Sequence, residues 1–283
     1  MVARRQDLKA LVNAYLNALC ARDPGRLPLT PDFRYTENCQ ELPPGEGLWK
    51  TCTGNLTYRL AMIDAEEDQA GLFAVLTENG VPCFLALRLK AARNQLCEAE
   101  ALVARWGNPL WAPEALTQPR PELVEAVPLD DPGSRDQAVA LANAYFDAVE
   151  LDDGGLVALD PGCTRITNGV QTTLNEAGDG IHRLPAQEGL SSGFFSYVSE
   201  IRDRRFPIYD EVTGVTMGIA VFDHPAVVRS VVVQGVGAQQ LPACFQKPSS
   251  AVAFEAFKVQ GGRIRQIEAV EEFLPYGMRT GWA

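Results

Sequence analysis

The stretch ALVNAYLNA at residues 10–18 recurs 130 residues later as ALANAYFDA at residues 140–148. The match continues at the same offset: Asp23, Gly25, Leu29, Pro31 and Asn38 meet Asp153, Gly155, Leu159, Pro161 and Asn168. Repetition at a fixed offset is the signature of a repeated structural unit, and a unit of this length is a whole domain. The sequence therefore predicts two tandem domains.

Each copy begins with a helical pattern and continues with strand-like segments. Residues 8–19 carry apolar side chains at helical intervals, and the breakers DPG at 23–25 and DGG at 153–155 end the two helices. Residues 260–263, QGGR, predict a hairpin turn. Helices followed by a curved antiparallel sheet make the predicted class α+β. Strands are predicted at residues 71–77, 83–90, 95–105, 215–222, 251–259 and 264–273.

A proline-rich segment separates the two copies. Residues 109–134 contain six prolines, a composition typical of a linker. We therefore predict a first domain at residues 1–108, a linker at 109–134 and a second domain at 135–283. The last strands of the two domains are aligned by matching Cys97-Glu98-Ala99 with Ile267-Glu268-Ala269.

Composition excludes several classes of partner. The chain has 283 residues, 46% of them apolar, with a formal net charge of -11. An acidic surface repels phosphate, so neither nucleic acid nor an anionic membrane is an expected partner. The sequence contains neither an apolar run of about 20 residues, as a bilayer span requires, nor the apolar core of a signal peptide. We therefore predict a cytoplasmic protein.

Cysteines and histidines argue against a metal or a cofactor. Seven cysteines are scattered without a C-x-x-C pair, and the chain has only two histidines, His182 and His224. Glycine-rich nucleotide motifs and the G-x-S-x-G hydrolase motif are missing. If the protein is an enzyme, we expect it to work without a cofactor.

The order of these features resembles the nuclear-transport-factor-2-like (NTF2-like) superfamily, also called SnoaL-like or ketosteroid-isomerase-like. The residues that carry the resemblance are the Asn-Ala-Tyr helix and residues 35–38 and 42–51, with residues 164–169 as the second counterpart. The resemblance implies two tandem cones, each with N-terminal helices on a curved antiparallel sheet. Such cones expose a sheet face that usually packs on another, which implies either a homo-oligomer or packing between the two copies.

Among tandem proteins of this kind, the chain looks like the bacterial diarylpropane γ-formaldehyde lyases of lignin degradation. The resemblance implies cofactor-free cleavage of a C–C bond in a phenolic 1,2-diarylpropane-1,3-diol, giving a stilbene and formaldehyde. Two alternatives stay open, because the fold hosts many activities. One is a cofactor-free isomerase or dehydratase of a hydrophobic polycyclic substrate, and the other is a non-catalytic module that binds a small ligand.

Strand alternation in the first copy places three candidate catalytic residues on apolar or inner faces. Glu37 is a lone carboxylate beside Phe33 and Tyr35, where burial would raise its pKa towards a useful range. Arg105 ends the inner row of the last strand, where it could hold a phenolate or pair with Glu37. Tyr58 could donate to a developing oxyanion. Structural alternatives are a surface or turn role for Glu37, a rim ion pair for Arg105 and a core position for Tyr58.

Five further residues form the predicted substrate-binding set for a small aromatic molecule: Tyr35, Asn38, Trp49, Lys50 and Trp106. Trp49 and Lys50 follow a glycine-rich loop that could cover the mouth of the cone. An aromatic lid suits an aromatic substrate, whereas a staple that only closes the cone is the alternative.

The second copy lacks the same set of residues. Thr167 stands for Glu37, Arg165 for Tyr35 and Pro275 for Arg105 in the alignment above. We therefore predict that the first domain carries the chemistry and that the second either is structural or lends His224 as a general base. In the lyase hypothesis Arg105 and Tyr58 stabilise the phenolate or the leaving group, and Glu37 or His224 moves the proton. A rival site around Glu271 and Tyr197 also follows, since Glu271 shares an apolar face with Ile267, Ala269 and Phe273.

Overall fold

A computed structural model describes residues 2–178 and 180–282 of the protein. In it, the chain forms two six-stranded sheets. The side chains of residues 55–57 lie outside that description. The α-helices are α1 (Val2–Cys20), α2 (Leu48–Thr51), α3 (Pro121–Val124), α4 (Arg135–Glu150) and α5 (Ala186–Leu190). Short 3-10 turns lie at Pro24–Arg26, Pro113–Ala115, Gly154–Leu156, Gly180–Arg183, Phe194–Tyr197 and Ala243–Gln246. No helix in the described part of the chain has the length and apolarity that a membrane crossing needs.

The first sheet follows α1. Its strands are β1 (Leu29–Glu37), β2 (Gln40–Glu41), β3 (Cys52–Asp64), β4 (Gln69–Glu78), β5 (Val81–Ala92) and β6 (Gln95–Ala104). They lie in the order β2-β1-β6-β5-β4-β3, and only the β1–β6 pair is parallel.

The second sheet follows α4 and has the same arrangement. Its strands are β7 (Leu159–Thr167), β8 (Val170–Gln171), β9 (Glu200–Asp210), β10 (Val215–His224), β13 (Ser249–Gln260) and β14 (Arg263–Pro275). They lie in the order β8-β7-β14-β13-β10-β9, with β7 and β14 parallel. The remaining strands, β11 (Ser230–Val233) and β12 (Gly237–Gln240), form a separate hairpin.

The predicted α+β class, with curved sheets of mostly antiparallel strands, is confirmed. Each of the six predicted strands falls within an observed one, except that β6 ends one residue before the predicted end. Gly261 and Gly262 both have positive φ, 61° and 67°, as a tight two-residue hairpin turn requires. The helix break at residues 23–25 is also confirmed, because Asp23 accepts a hydrogen bond from the Gly25 N–H and caps the turn after α1.

The two halves differ most in two connections. Asn79 and Gly80 alone join β4 to β5, whereas residues 225–248 join β10 to β13. Residues 42–51 with α2 join β2 to β3, whereas residues 172–199 with α5 join β8 to β9. The longer connections of the second half pack together through a small apolar cluster: Val231, Val233 and Leu241 with Ile181, Leu184, Val228, Phe194, Tyr197 and Phe245.

The two sheets pack on each other through one shared apolar core. The first sheet contributes residues such as Leu60, Phe73 and Phe84, and the second contributes residues such as Met217 and Phe254. The opposite face of each sheet is covered by its own helix, α1 or α4, in two further clusters. Each half therefore covers the sheet face that the other would otherwise expose.

Crossed ion pairs reinforce this contact. Arg5 of α1 reaches both carboxylate oxygens of Asp210 in the second sheet, at 2.8 and 2.7 Å. Arg135 of α4 reaches Asp64 in the first sheet at 2.8 Å. Each buried aspartate also accepts a backbone N–H from the other half, Asp210 from Ile63 and Asp64 from Tyr209. These reciprocal contacts hold the end of β3 against the end of β9.

The C-terminal segment crosses from the second half to the first and places Trp282 there. The Trp282 ring lies between two guanidinium groups, with Arg34 at 4.1 Å and Arg88 at 4.7 Å from its centroid. Its Nε1–H donates to Thr36 Oγ1 at 2.8 Å, and Arg34 donates to the Gly281 carbonyl.

Replacing Trp282 with alanine is expected to lower the free energy of unfolding by about 1–2 kcal/mol, because each cation–π contact contributes about 0.5–1 kcal/mol. Urea unfolding followed by circular dichroism measures this change. Trp282→Phe keeps a ring and loses the hydrogen bond to Thr36. Its free energy of unfolding should therefore lie between those of the wild type and the alanine variant. An unchanged midpoint in the alanine variant would show that the segment contributes nothing to stability.

Candidate functional site

A cavity of about 230 Å³ lies in the second half, between α4, the second sheet and the two long connections. Most of its wall is apolar, and nine of its lining side chains carry an aromatic or imidazole ring: Tyr145, His182, Phe194, Phe195, Tyr197, Phe222, His224, Phe245 and Phe273. Alternate residues of β14 face it, namely Ile267, Glu271 and Phe273, because side chains alternate along a strand. The cavity is therefore an aromatic pocket with few polar groups.

Glu271 is one of two carboxyls in this wall, the other being Glu255. Burial raises its pKa to about 7 from an ordinary 4.5, with Glu255 adding to the rise and Arg165 opposing it. The backbone is held on both sides, since the Glu271 N–H donates to Asn168 Oδ1 at 3.1 Å. Its carbonyl accepts from the amides of Asn108 and Asn168 at 3.0 and 2.9 Å. The strand therefore holds the Glu271 carboxyl at the cavity, where it exchanges its proton near neutral pH.

A buried ion pair lies beside this carboxyl. The Arg165 guanidinium donates to Glu255 Oε1 at 3.2 Å and to Thr167 Oγ1 at 2.5 Å. Glu255 is fully buried in the middle of β13, so its charge depends on that arginine. Arg165 Nε and Glu255 Oε2 are buried without a hydrogen-bond partner among the described residues. Within the pair, the positive charge of Arg165 favours the ionised form of Glu271, whereas the Glu255 carboxylate opposes it.

Two tyrosines complete the polar side of the cavity. Burial raises the pKa of both Tyr145 and Tyr197 well above the ordinary value of 10, and the nearby Glu271 carboxyl adds to the effect. Both hydroxyls therefore keep their protons at any physiological pH and can donate hydrogen bonds.

His224 lies among aromatic rings at the other end of the cavity. Its imidazole is 5.3 Å from Tyr197, 5.1 Å from Phe245 and 6.0 Å from Phe273, between ring centroids. Burial lowers its pKa to about 4, so the ring is neutral near pH 7. A group with that pKa is a weak general base. The structure also corrects the predicted role, since His224 lines a cavity of its own half and is not lent to the first.

In the first half, by contrast, Glu37 is fully engaged in hydrogen bonds. Its carboxylate accepts from the Tyr35 hydroxyl at 2.9 Å, from the Leu48 N–H at 2.6 Å and from Arg105 at 2.9 Å. The ion pair with Arg105, one of the two alternatives from the sequence, is therefore present. Arg105 also binds Glu78 at 2.7 and 2.9 Å. These contacts hold the start of α2 against β1, which is a structural role.

Trp49 is packed inside the first half and does not lie over its mouth, contrary to the predicted lid. The side chain is buried and meets Tyr15 edge-on at 5.2 Å. Leu48 and Trp49 of α2 belong to the core between α1 and the sheet. A short helix thus fills the interior that a ligand would need, because Glu37 anchors its first N–H. The next residue, Lys50, points outward and pairs with Glu46.

Three other predicted residues lie away from any shared site. Tyr58 donates its hydroxyl to Glu268 in the core between the sheets. Asn38 binds the backbone of Val103 and so joins β1 to β6. Trp106 is 79% exposed. Neither cavity described in the structure is lined by any predicted residue of the first half.

Two asparagines establish which residues of the two sheets correspond. Asn38 exchanges two hydrogen bonds with the backbone of Val103, and Asn168 does the same with Glu271. Glu271 therefore takes the place of Val103. By register, Tyr35, Glu37, Glu78, Leu87, Val103 and Arg105 correspond to Arg165, Thr167, His224, Glu255, Glu271 and Phe273.

This correspondence corrects the alignment of the last strands by two residues. Phe273, and not Pro275, takes the place of Arg105, and residues 97–99 match residues 265–267. A shift of two residues along a strand leaves each side chain on the same face of the sheet. Moreover, the Glu-Ala pair occurs twice in β6, so the sequence fits Glu268-Ala269 in either register.

The sequence pattern indicated Glu271 and Tyr197 only as a rival site, and it did not indicate Glu255 or Tyr145 as site residues. One signal for Glu255 was available, since it is the single charge in the apolar run at residues 251–257. A lone charge in a buried strand needs a partner and marks a candidate site. Among the described residues, no group of three His, Cys, Asp or Glu side chains is arranged to hold a metal ion.

In comparisons with known proteins, the half that holds the cavity is similar to a family of unknown function. Residues 131–271 match the model of a domain of unknown function, DUF8021. None of the curated proteins matches the chain. Among solved structures, a de novo designed protein with a curved β-sheet is 9% identical over 50% of this chain and 88% of its own, with a TM-score of 0.29. That likeness is too low to inform either fold or function.

Proposed function

We propose that the protein is a cofactor-independent acid–base enzyme that converts a hydrophobic aromatic molecule in the cavity of its second half. The observation that carries the proposal is Glu271, a half-buried carboxyl on an aromatic cavity wall whose pKa is raised to about 7. Acid–base catalysis is most effective when the pKa of the group lies near the working pH. The proposal includes the cytoplasmic location predicted above.

We further propose that the two halves are tandem NTF2-like cones related by duplication. Three observations support this: the repeated sequence at residues 10–18 and 140–148, the matching strand orders, and the reciprocal pairs of Arg5 and Arg135. In this scheme one cone has been filled by α2 and stabilises the pair, and the other keeps an open interior.

For the reaction, we propose the lyase chemistry implied by the resemblance. A phenolic 1,2-diarylpropane-1,3-diol loses its benzylic hydroxyl as water, and the para-phenol supplies the electrons to form a quinone methide. Removal of the γ-hydroxyl proton then breaks the C–C bond and releases formaldehyde. The electrons of that bond form the stilbene double bond and restore the aromatic phenolate, which takes back from solvent the proton that the para-hydroxyl released when the quinone methide formed. The products are one stilbene, one formaldehyde and one water.

This sequence needs an acid in its first step and a base in its second. Glu271 can serve as both, because with a pKa near 7 it gives up a proton to the departing hydroxyl and then accepts the γ-hydroxyl proton. The protonated hydroxyls of Tyr145 and Tyr197 would donate to the substrate oxygens. The positive charge of Arg165 would keep the pKa of Glu271 from rising further. The aromatic wall would bind the rings of the substrate.

The test is an incubation of metal-stripped protein with a phenolic diarylpropane diol, in which stilbene absorbance and trapped formaldehyde are followed together. The matched control substrate carries a methyl ether in place of the phenol, so it cannot form the quinone methide. We expect equimolar stilbene and formaldehyde from the phenol and neither from the ether.

Other outcomes would separate the alternatives. Loss of water without formaldehyde would replace the lyase with a dehydratase. Binding of the substrate without turnover would favour a ligand-binding module. Activity that returns only on adding a metal or a cofactor would contradict the cofactor-free mechanism.

A further inference from the structure

The cavity is bordered by two connections that have no counterpart of similar length in the first half. We call residues 172–199 and 225–248 the cap. The cap has its own small core around Val231, Val233 and Leu241, and it supplies part of the cavity wall. The sheet, α4 and the segment Pro109-Leu110 supply the rest. The cap therefore limits the length of any ligand whose polar end lies at Glu271.

Phe245 is a cap residue whose ring contacts rings of the sheet. It lies on the 3-10 turn Ala243–Gln246, near the end of the connection 225–248. Its ring is 4.6 Å from Tyr197, 5.1 Å from His224 and 5.3 Å from Phe273, between centroids. His224 and Phe273 belong to the sheet, so Phe245 bridges the cap and the sheet across the cavity.

The volume that remains suits one aromatic ring. An apolar cavity of about 150 Å³ is enough to bind benzene, whereas sites for drug-sized ligands begin at about 300 Å³. At about 230 Å³, this cavity lies between the two. One ring with its substituents fits, and a second ring needs space that a cap side chain now occupies.

We propose that Phe245 is the specificity-determining residue of the site. Its ring limits the ligand that the cavity accepts to a single phenolic ring. A two-ring phenol binds only when the Phe245 ring leaves its place between Tyr197 and Phe273. This inference rests on the proposed function for the location of the site, and it deepens it by defining the ligand class. Within the lyase proposal, the second ring of the substrate takes the position of the Phe245 side chain.

The experiment measures the affinity of two probes by calorimetry. One probe is 4-methylphenol, with one ring, and the other is 4,4′-dihydroxystilbene, with two. Phe245→Ala should raise the affinity for the two-ring probe at least about tenfold relative to the one-ring probe, since the ring it admits is fully buried. Phe245→Leu, which keeps most of the packing, should move the ratio in the same direction by less. The leucine variant also tests the inference if the alanine variant does not fold.

Val231→Ala is the matched control. Val231 belongs to the cap core but does not line the cavity, so this variant loosens the cap without removing the barrier. Its affinity ratio should stay within about twofold of the wild-type ratio. An equal change of both affinities in the Phe245 variants, or the same shift in Val231→Ala, would overturn the inference.

Binding and turnover keep this inference separate from the proposed function. If wild type binds the probes and the ratio shifts as expected while no substrate turns over, the size limit holds and the lyase proposal fails. If turnover occurs but the ratio does not shift in the Phe245 variants, only the role of Phe245 fails. If neither probe binds wild type or the variants, both proposals fail.

Discussion

Turnover of the Glu271→Gln variant is expected to fall at least about 100-fold, the usual contribution of a general acid or base. Glutamine has the same shape and can still accept a hydrogen bond, so substrate affinity should change by no more than a few fold. The backbone contacts of Glu271 with Asn108 and Asn168 do not involve its side chain and should persist. Steady-state kinetics with product detection and calorimetric binding separate the two effects.

The pH profile gives a second measure of the same role. In the proposed reaction the free enzyme must begin with Glu271 protonated. The pKa of Glu271 is raised to about 7, so kcat/KM should fall as the pH rises above about 7. In Glu271→Gln the residual rate should lack this descending limb.

Glu37→Gln is the discriminating control, because Glu37 is the carboxyl that the sequence placed in the active site. We expect this variant to be less stable and to turn over at close to the wild-type rate per folded molecule. Its carboxylate only holds Tyr35, Leu48 and Arg105 in place. A 100-fold loss in Glu37→Gln with normal turnover in Glu271→Gln would return the site to the first half.

Glu268→Gln is expected to remove a large pH dependence of stability. Glu268 lies between the two sheets, and burial raises its pKa to about 7 from 4.5. Because the folded protein holds the proton more tightly than the unfolded chain, Glu268 stabilises the fold at low pH. That contribution is lost as the pH rises from about 4.5 to about 7.

The expected size follows from the same values. Each pKa unit corresponds to about 1.4 kcal/mol, so the wild-type free energy of unfolding should drop by about 3 kcal/mol relative to the variant between pH 4.5 and pH 8. Glutamine carries no titrating charge, and it can still accept the Tyr58 hydroxyl proton. Urea unfolding of both proteins at four or five pH values measures the difference. A constant difference across this range would show that Glu268 titrates normally.

Glu100→Gln is the matched control for that prediction. Glu100 takes the corresponding place in β6, but its carboxylate binds Arg88 at 2.9 Å and Arg205. Removing this charge deprives Arg205 of its carboxylate and leaves Arg88 with Glu98 alone. Breaking a buried pair costs about 3–5 kcal/mol. The same substitution at two corresponding positions should therefore change stability in opposite directions at pH 8.

Local pattern was sufficient for the elements of each half. Helical spacing at residues 8–19, breakers at 23–25 and alternation along β14 each depend on neighbours within a few positions, and the structure agrees with all three. The face occupied by Glu271, beside Ile267 and Phe273, was predicted by the same alternation. Such features are encoded in short stretches because backbone geometry has a fixed period.

Which of the two interiors is open depended on residues far apart in the chain. Alternation assigns Glu37 and Glu271 alike to an inner face, but it does not say what fills the space in front of them. Trp49 fills it in the first half, and in the second the cap lies far enough away to leave a cavity. The raised pKa of Glu271 follows from its neighbours, because burial is a property of the packed interior and not of the strand that carries the residue.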